Sequence, residues 1–464
     1  MRDKLDSLLR PRSVALIGAS ANPAKLSHVA LKNLSKGKFK LYPVNPKESS
    51  ILGLKCYPSV KDVPGRVDLA LISLPASASV EPVIECVNKD VGVVIVTASG
   101  FKESSSQGKK LEDRLMKIIR GSKTRLLGPN TMGVFVPSIG LDTLFIPREK
   151  SKRPGSGSIA MLSQSGAVSV SFLERAATAG IGISACVGLG NKSDLNENEM
   201  MRYLASQRET KCIAIYLESF SDGREFVDIA RKVTRVKPVV VLKSGRTASG
   251  TRAAKSHTGA VASSSDLMVD GVLKQAGVVR VYDEEELMDV AKALAYADHI
   301  DGERICVVAS AGGFGVIGAD YVESREHGAG LSMANLSVRT RNEMRKVVPR
   351  FSSIANPVDL TAGVTNEMYD RVLSALQVDP NVDGIMMSLE LQPPNITKGL
   401  IRIAERRSWF KGARIVVSAF GGDQTEPMLR EFEKRRVPAY PTIWRAVRAL
   451  AALSERGLYL KRSK

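Results

Sequence analysis

Aromatic residues are scarce in this chain of 464 residues, at 5%, and so are histidine, with four, and cysteine, with five. Few aromatics leave little on which bases could stack, and neither a stacking motif nor a zinc-finger spacing is present, so no nucleic-acid partner is expected. The cysteines (Cys56, Cys86, Cys186, Cys212, Cys306) are odd in number and scattered, with no CxxC pair and no Cys/His cluster of metal-ligand spacing. Disulfide scaffold and zinc site are thereby excluded, no metal site is expected, and the thiols read as buried apolar groups in a reducing compartment. No stretch approaches the roughly 18 apolar residues of a membrane span, so no membrane partner is expected. The opening MRDKLDSLLRPRS has no apolar signal core, which points to the cytoplasm.

What is abundant is positive charge. The net charge is +19, with Lys and Arg spread along the chain, as on a solvated basic surface. A small polyanion such as CoA or ATP suits that charge.

Short β-branched runs alternate with amphipathic stretches from Ser13 onward: SVALIGA, KLYPVNP, VDLALISLP, VGVVIVTA and TRLLGPN. This is the βαβ pattern of a parallel sheet. The charged and then Gly/Ser/Pro-rich REKSKRPGSGS (148–158) reads as a linker. A second alternation follows through SIAMLSQ, GISACVGLG, KCIAIYLES and KPVVVLKSG, and a third through RICVVASAGG, VDGIMMSL and ARIVVSAF, divided by the polar YADHIDGE (296–303). The expected fold is α/β, with three doubly wound domains at 1–148, 149–298 and 299–464.

Glycine-rich turns follow several strands. Gly18, Ala19 and Ser20 lie between the first strand and its helix, where N–H groups and a helix dipole can meet phosphate. Gly313, Gly315 and Gly318 match a dinucleotide fingerprint, yet no acid follows about 20 residues on to hold a ribose. Close packing accounts for these glycines as readily as a ligand. Gly245 to Gly250 has the spacing of a P-loop, but Thr251 and Arg252 replace its Lys and Ser/Thr, which excludes an NTPase there. In SQSGAVS, the residues Ser163, Gln164, Ser165 and Gly166 end a strand and open a helix, presenting donors suited to an oxyanion or a phosphoryl group, or to a plain N-cap.

Between KPVVVLKSG and a helix near Ser265 lies GRTASGTRAAKSHTGAVASS, with almost no apolar anchor. Such a segment reads as a long functional loop, and it carries His257 flanked by Arg252 and Lys255. At roughly 3.3 Å per extended residue, the shorter arm from His257 to Ser265 permits an excursion of about 25 Å.

RAAKSHTGA, YLESF around Glu218, SQSGAVS, GPNTMGV, and IGASANP followed by YPVNPK together resemble the α subunit of the ADP-forming acetyl-CoA synthetases, in the succinyl-CoA synthetase superfamily, over essentially the whole chain. The resemblance implies a Rossmann-like CoA-binding domain followed by two flavodoxin-like domains. It implies CoA at Gly18, Ala19, Ser20, Lys47, Val96, Thr97 and Ala98, with Lys47 toward the 3′-phosphate. His257 would be the phosphorylated residue, Glu218 would orient its ring, and Ser163, Gln164, Ser165 and Gly166 would cradle the phosphoryl group. NPVDL (356–360) and VDGIMMSLELQPPNITKGL (382–400) fit the third domain, although LQPPN stands where the superfamily has a glycine-rich turn. The substrates would be acetyl-CoA and phosphate. No ATP-grasp domain is found in these residues, so a separate β subunit, in an α2β2 assembly, would hold Mg and ADP or ATP. A catalytically silent CoA-binding regulator and an NAD-dependent oxidoreductase built on Gly313 to Gly318 are the competing readings.

Overall fold

In the computed structural model the described residues are 5–258, 265–410 and 412–463, and of 255–258 only the backbone is described. The chain forms two compact units. One comprises the residues up to 178 together with 182–284, and the other comprises 179–181 together with 285 onward.

The first unit holds two large sheets and a small antiparallel pair, Ser50–Ile51 with Leu54–Lys55. Strands Ser13–Ile17 (β1), Lys40–Val44 (β2), Leu69–Ile72 (β3), Val93–Val96 (β4) and Arg125–Leu127 (β5) form a parallel sheet in the order β2-β1-β3-β4-β5. β1, β3 and β4 are buried at every position, which is why they read as unbroken apolar runs: helices cover both faces of the sheet. The chain leaves β1 toward β2 and returns to β3 on the other flank of β1. The resulting switch point is where such sheets take up ligands, outside the carboxyl ends of the strands.

The second sheet contains Val134–Val136 (β6), Leu141–Asp142 (β7), Ser156–Ser163 (β8), Ile183–Gly188 (β9), Cys212–Leu217 (β10), Val239–Lys243 (β11) and Val279–Val281 (β12). Its order is β12-β11-β10-β8-β9-β6-β7, parallel except for β6 and β7. The chain thus crosses from the first sheet to the second immediately after GPNTMG, and antiparallel β6 joins β9 through Phe135 and Val134 opposite Cys186 and Val187. Arg125 on β5 fixes the same seam, with a two-pronged contact to Asp194 at 2.9 Å on both nitrogens. A common apolar core runs through both sheets, from Leu16 and Leu71 past Val134 and Val187 to Leu162 and Ile215.

Two local expectations are overturned. The segment 148–158 is no free linker: the Arg153 side chain is 4% exposed and pairs with the fully buried carboxylate of Asp142 at 3.2 Å, and β8 begins at Ser156. The supposed structureless loop after β11 is helical over Ala248–Thr258. Small residues hid this. Ala, Arg and Lys are good helix formers, and Thr247 caps the helix by accepting the N–H of Gly250 at 3.1 Å.

The second unit is built on Arg304–Ala309 (β13), Ser332–Met333 (β14), Val358–Asp359 (β15), Gly384–Glu390 (β16), Arg414–Phe420 (β17) and Ala439–Tyr440 (β18). All pairings are parallel, in the order β14-β13-β16-β17-β18, with β15 beside β13. Helix Glu284–Tyr296 packs with this unit from residue 285 on, and there Lys292 pairs with Glu433 at 2.6 Å, both buried. The glycine fingerprint lies in helix Gly312–Glu323, and two of its three glycines serve packing: a Cβ on Gly318 would lie 2.8 Å from Met386 Cε, and one on Gly315 would lie 3.2 Å from Pro357 Cβ, whereas one on Gly313 would meet open space. After β16 the chain passes through LQPPN to a helix that begins at Gly399 without a side-chain cap. Among the described residues no helix is long and apolar enough to cross a membrane.

Candidate active site

The carboxyl edge of the second sheet gathers the candidates for phosphoryl chemistry. β8, β10 and β11 are neighbours, so the turn after β8, the end of β10 and the root of the helix after β11 lie side by side. Leu217 O, at the end of β10, accepts the N–H of Ser244 at 2.9 Å, and the hydroxyls of Tyr216 and Ser244 are 3.0 Å apart.

In the turn after β8, Ser163 is fully buried and donates its hydroxyl to Ser165 O at 2.7 Å, so it shapes the turn from within. Ser165 Oγ accepts the N–H of Val168 at a long 3.4 Å, the N-cap arrangement. Gly166 opens helix Gly166–Ala179, and a Cβ there would sit 2.5 Å from Met132 Cγ. Only glycine lets the 128–133 loop pass so close. Gln164 does not face outward: its Oε1 accepts the N–H groups of Glu218 at 2.9 Å and Ser219 at 3.1 Å, and its Nε2 donates to Ser219 Oγ at 3.3 Å. Its side chain is committed to the end of β10, which leaves Ser165, Gly166 and the helix N-terminus as the outward part of the proposed cradle.

Glu218 is 9% exposed, and its Oε1 accepts from the Tyr216 hydroxyl at 3.5 Å. Burial pushes the Tyr216 phenol up, and the Glu218 charge adds to that. His257 lies in the last turn of helix Ala248–Thr258 by its backbone, and its side chain falls outside the described residues. That helix is rooted at Gly245, whose φ of +76° is the left-handed region glycine favours, and Thr251 Oγ1 donates back to Gly245 O at 3.0 Å.

Two groups missed in the sequence stand beside Glu218. Lys243 Nζ donates to Glu218 O at 2.7 Å, and Lys192 Nζ donates to Ser219 O at 2.6 Å while pairing with the fully buried Glu197 at 3.1 Å. Burial pushes both ammonium groups below the ordinary lysine range. Neither belongs to a motif. A positive φ of 55° at Lys192 is the one local oddity, and a sequence does not display it.

The other candidates lie at the carboxyl edge of the first sheet. Gly18 has φ +85° and donates its N–H to Val44 O at 3.0 Å; a Cβ there would lie 2.7 Å from Ser73 O and from Leu74 Cδ2. Ala19 and Ser20 are buried, and Ala19 O accepts from Asn45 Nδ2 at 2.7 Å. Asn45 Oδ1 in turn accepts the N–H of exposed Lys47 at 2.9 Å. Val96 is fully buried, so it offers only its main chain; Thr97 Oγ1 donates to Ile72 O at 3.1 Å, and Ala98 O accepts the N–H of Asn130 at 2.9 Å. From Asn130 the loop runs through buried Thr131 to Met132 beside Gly166, so one short stretch of chain joins the two edges.

Three family models match successive parts of the chain: a CoA binding domain over residues 12–137, a succinyl-CoA ligase like flavodoxin domain over 156–294 and a ligase-CoA domain over 305–455. The chain is 37% identical to the α subunit of acetate–CoA ligase (ADP-forming) II of Pyrococcus furiosus, over 94% of each protein. It is 36% identical to acetate–CoA ligase (ADP-forming) I of Archaeoglobus fulgidus, covering 97% of this chain but 63% of that longer protein. Among solved structures, the dinucleotide forming acetyl-coenzyme A synthetase 1 of Ca. Korarchaeum cryptofilum, in complex with phosphate and ADP, matches with a TM-score of 0.90 at 34% identity, over 100% of this chain and 99% of that one.

Proposed function

The chain belongs to the family of ADP-forming acetate–CoA ligase α subunits, acid–CoA ligases for which CoA is a substrate, and from that premise we propose how its own residues divide the work. CoA is held at the switch point of the first sheet by Gly18 to Ser20 and Val96 to Ala98, with Lys47 toward its 3′-phosphate. A phosphate oxygen attacks the thioester carbonyl, the C–S bond breaks, and CoA leaves as the acyl phosphate forms. A ring nitrogen of His257 then attacks phosphorus, the P–O bond to the acyl group breaks, and free acid leaves. An oxygen of the ADP β-phosphate finally attacks the phosphohistidine, the P–N bond breaks, and ATP forms. Neutral imidazole is a competent nucleophile near pH 7. Glu218 orients the ring and offsets the positive charge that develops on it, while Ser165, Gly166 and the helix N-terminus receive the phosphoryl oxygens.

The observation that carries this reading is the convergence of the SQSG turn, the Glu218 strand end and the root of the His257 helix on three adjacent strand ends, with Gln164 joining the first two at 2.9 Å. In the same reading 1–148 binds CoA, 149–298 carries the phosphohistidine and 299–464 is the third domain. The nucleotide and Mg reside on an ATP-grasp β subunit in an α2β2 assembly in the cytoplasm. An α-subunit relative that matches this chain nearly end to end, and a longer relative of which it spans 63%, support a missing partner. The NAD alternative has no support from Gly315 and Gly318, which pack against Pro357 and Met386. The test supplies the purified chain with acetyl-CoA and labelled phosphate. Acid-labile, base-stable label is expected, and His257→Ala abolishes it; label surviving in that variant overturns the reading.

A further inference from the structure

Glu218 and Ser219 extend past the end of β10 with four main-chain polar groups, and side chains engage all of them. Gln164 accepts both N–H groups, Lys243 donates to the first carbonyl, and Lys192 donates to the second. The three side chains come from three different places: the turn after β8, the last residue of β11, and the loop after β9. Lys243 also donates to Ser244 O, the residue before Gly245. One ammonium therefore bridges the end of β10 and the root of the helix that carries His257.

A neutral donor could satisfy both carbonyls without the several kcal/mol that desolvating an ammonium costs. A cation adds a field. Lys243 is half-buried, burial lowers its proton affinity, and the Glu218 and Asp266 carboxylates act to restore it while Arg280 and Lys192 oppose it. Lys192 is already neutralised by Glu197, which itself accepts the N–H of Ser221 at 2.6 Å and the Ser221 hydroxyl at 3.0 Å. Lys243 has no carboxylate of its own within ion-pair distance among the described residues, and its hydrogen bonds go to carbonyls.

We propose that Lys243 is a positioning residue for the phosphoryl-transfer step: it registers the Glu218 carboxylate against the root of the His257 helix and leaves its charge available to the phosphoryl group when that helix delivers it. This rests on the reading that His257 is phosphorylated. Lys243 forms no bond to phosphorus. It acts through Glu218 and Ser244, with Lys192 holding the next peptide in place.

The test uses the chain with its nucleotide-binding partner and compares Lys243→Met, Lys243→Gln and Lys243→Arg. The rate of His257 labelling from acetyl-CoA and labelled phosphate is measured beside CoA affinity and the unfolding midpoint. Misplacing a reacting group by about 1 Å slows a step by up to about a hundredfold, so Lys243→Met is expected to label about tenfold or more slowly with CoA affinity unchanged. Lys243→Gln, which keeps a donor without charge, should remain slow, and Lys243→Arg should recover part of the rate. Wild-type labelling rates in Met and Gln overturn the inference. A loss in all three variants that follows the unfolding midpoint and is not rescued by Arg also overturns it, since that is the mark of structural support alone. Absence of label in the wild-type protein would instead overturn the parent reading.

Discussion

The side-chain carbonyl oxygen of Gln164 lies 2.9 Å from the backbone nitrogen of Glu218, so the turn after one strand sets the position of the carboxylate at the end of its neighbour. Gln164→Ala leaves two N–H groups without that acceptor, at about 1 to 3 kcal/mol for each that water does not reach. The expected result is slower phosphohistidine formation, a lower unfolding midpoint and CoA affinity close to wild type. Single-turnover labelling beside a CoA titration checks it, and wild-type labelling would remove Gln164 from the positioning set.

Gly18 occupies a corner that no side chain fits. With φ at +85° and both Ser73 O and Leu74 Cδ2 at 2.7 Å from a built Cβ, Gly18→Ala must displace main chain at the switch point of the first sheet. CoA binding should fall more than overall stability, because the displaced backbone is the part proposed to meet the CoA phosphates. Thermal unfolding with and without CoA reads both quantities: the variant should lose most of the shift that CoA produces in the wild type.

Acid should weaken the seam near residue 191. Burial opposes ionisation of Glu103, but hydrogen bonds from Asn191 Nδ2 at 2.6 Å and from the N–H groups of Gly100 and Phe101 outweigh it and hold the carboxyl below the ordinary range. In the window between the lowered folded value and the unfolded value of about 4.3, the unfolded chain binds more protons than the folded one. The contribution is therefore complete above that window and is lost as pH falls through it. Unfolding midpoints measured down to about pH 3 should drop less steeply in Glu103→Gln than in the wild type, from a lower starting value.

Within the second unit, Lys292 donates to Glu433 Oε1 and to Ala439 O, each at 2.6 Å, with its ammonium 4.0 Å from the centre of the Tyr440 ring. Lys292→Met strands a buried carboxylate and should destabilise this unit by about 3 to 5 kcal/mol. Lys292→Met with Glu433→Leu removes both charges and should regain much of that loss. Denaturant unfolding of the two variants decides, and equal midpoints would show that Glu433 carries no penalty once its partner is removed.

Helix Ala248–Thr258 changes what proline does near His257. Ala253→Pro with Ala254→Pro breaks the helix, at about 3 kcal/mol or more for an interior proline. If the helix acts as a lever that carries the phosphoryl group between two sites, labelling of His257 should be spared more than transfer to ADP on the partner. Normal ATP formation by this variant would remove the lever.

The strand ends were legible because β1, β3, β4, β8 and β10 are buried along most of their length, and such strands appear as apolar runs closed by small polar residues. Lys192 and Lys243 were not, since they act on main-chain carbonyls that only the fold brings near. The helix around Ala253 was hidden by Gly245 and Gly250 on one side and by Ser and Thr throughout. The crossing into the second sheet was hidden by brevity: β6 has three residues and β7 two, below the length at which alternation can be read.

That crossing bears on how the protein emerges from the ribosome. A nascent chain that has released β5 holds every strand of the first sheet, yet β6 and β7 can pair only with each other until Ile183–Gly188 arrives. Until then an unpaired edge, with the apolar side chains of Val134, Phe135 and Val136, stays open to other strands. A stop between residues 148 and 158, where the composition invites a cut, would make that interval permanent, and the released fragment should be captured by chaperones or aggregate.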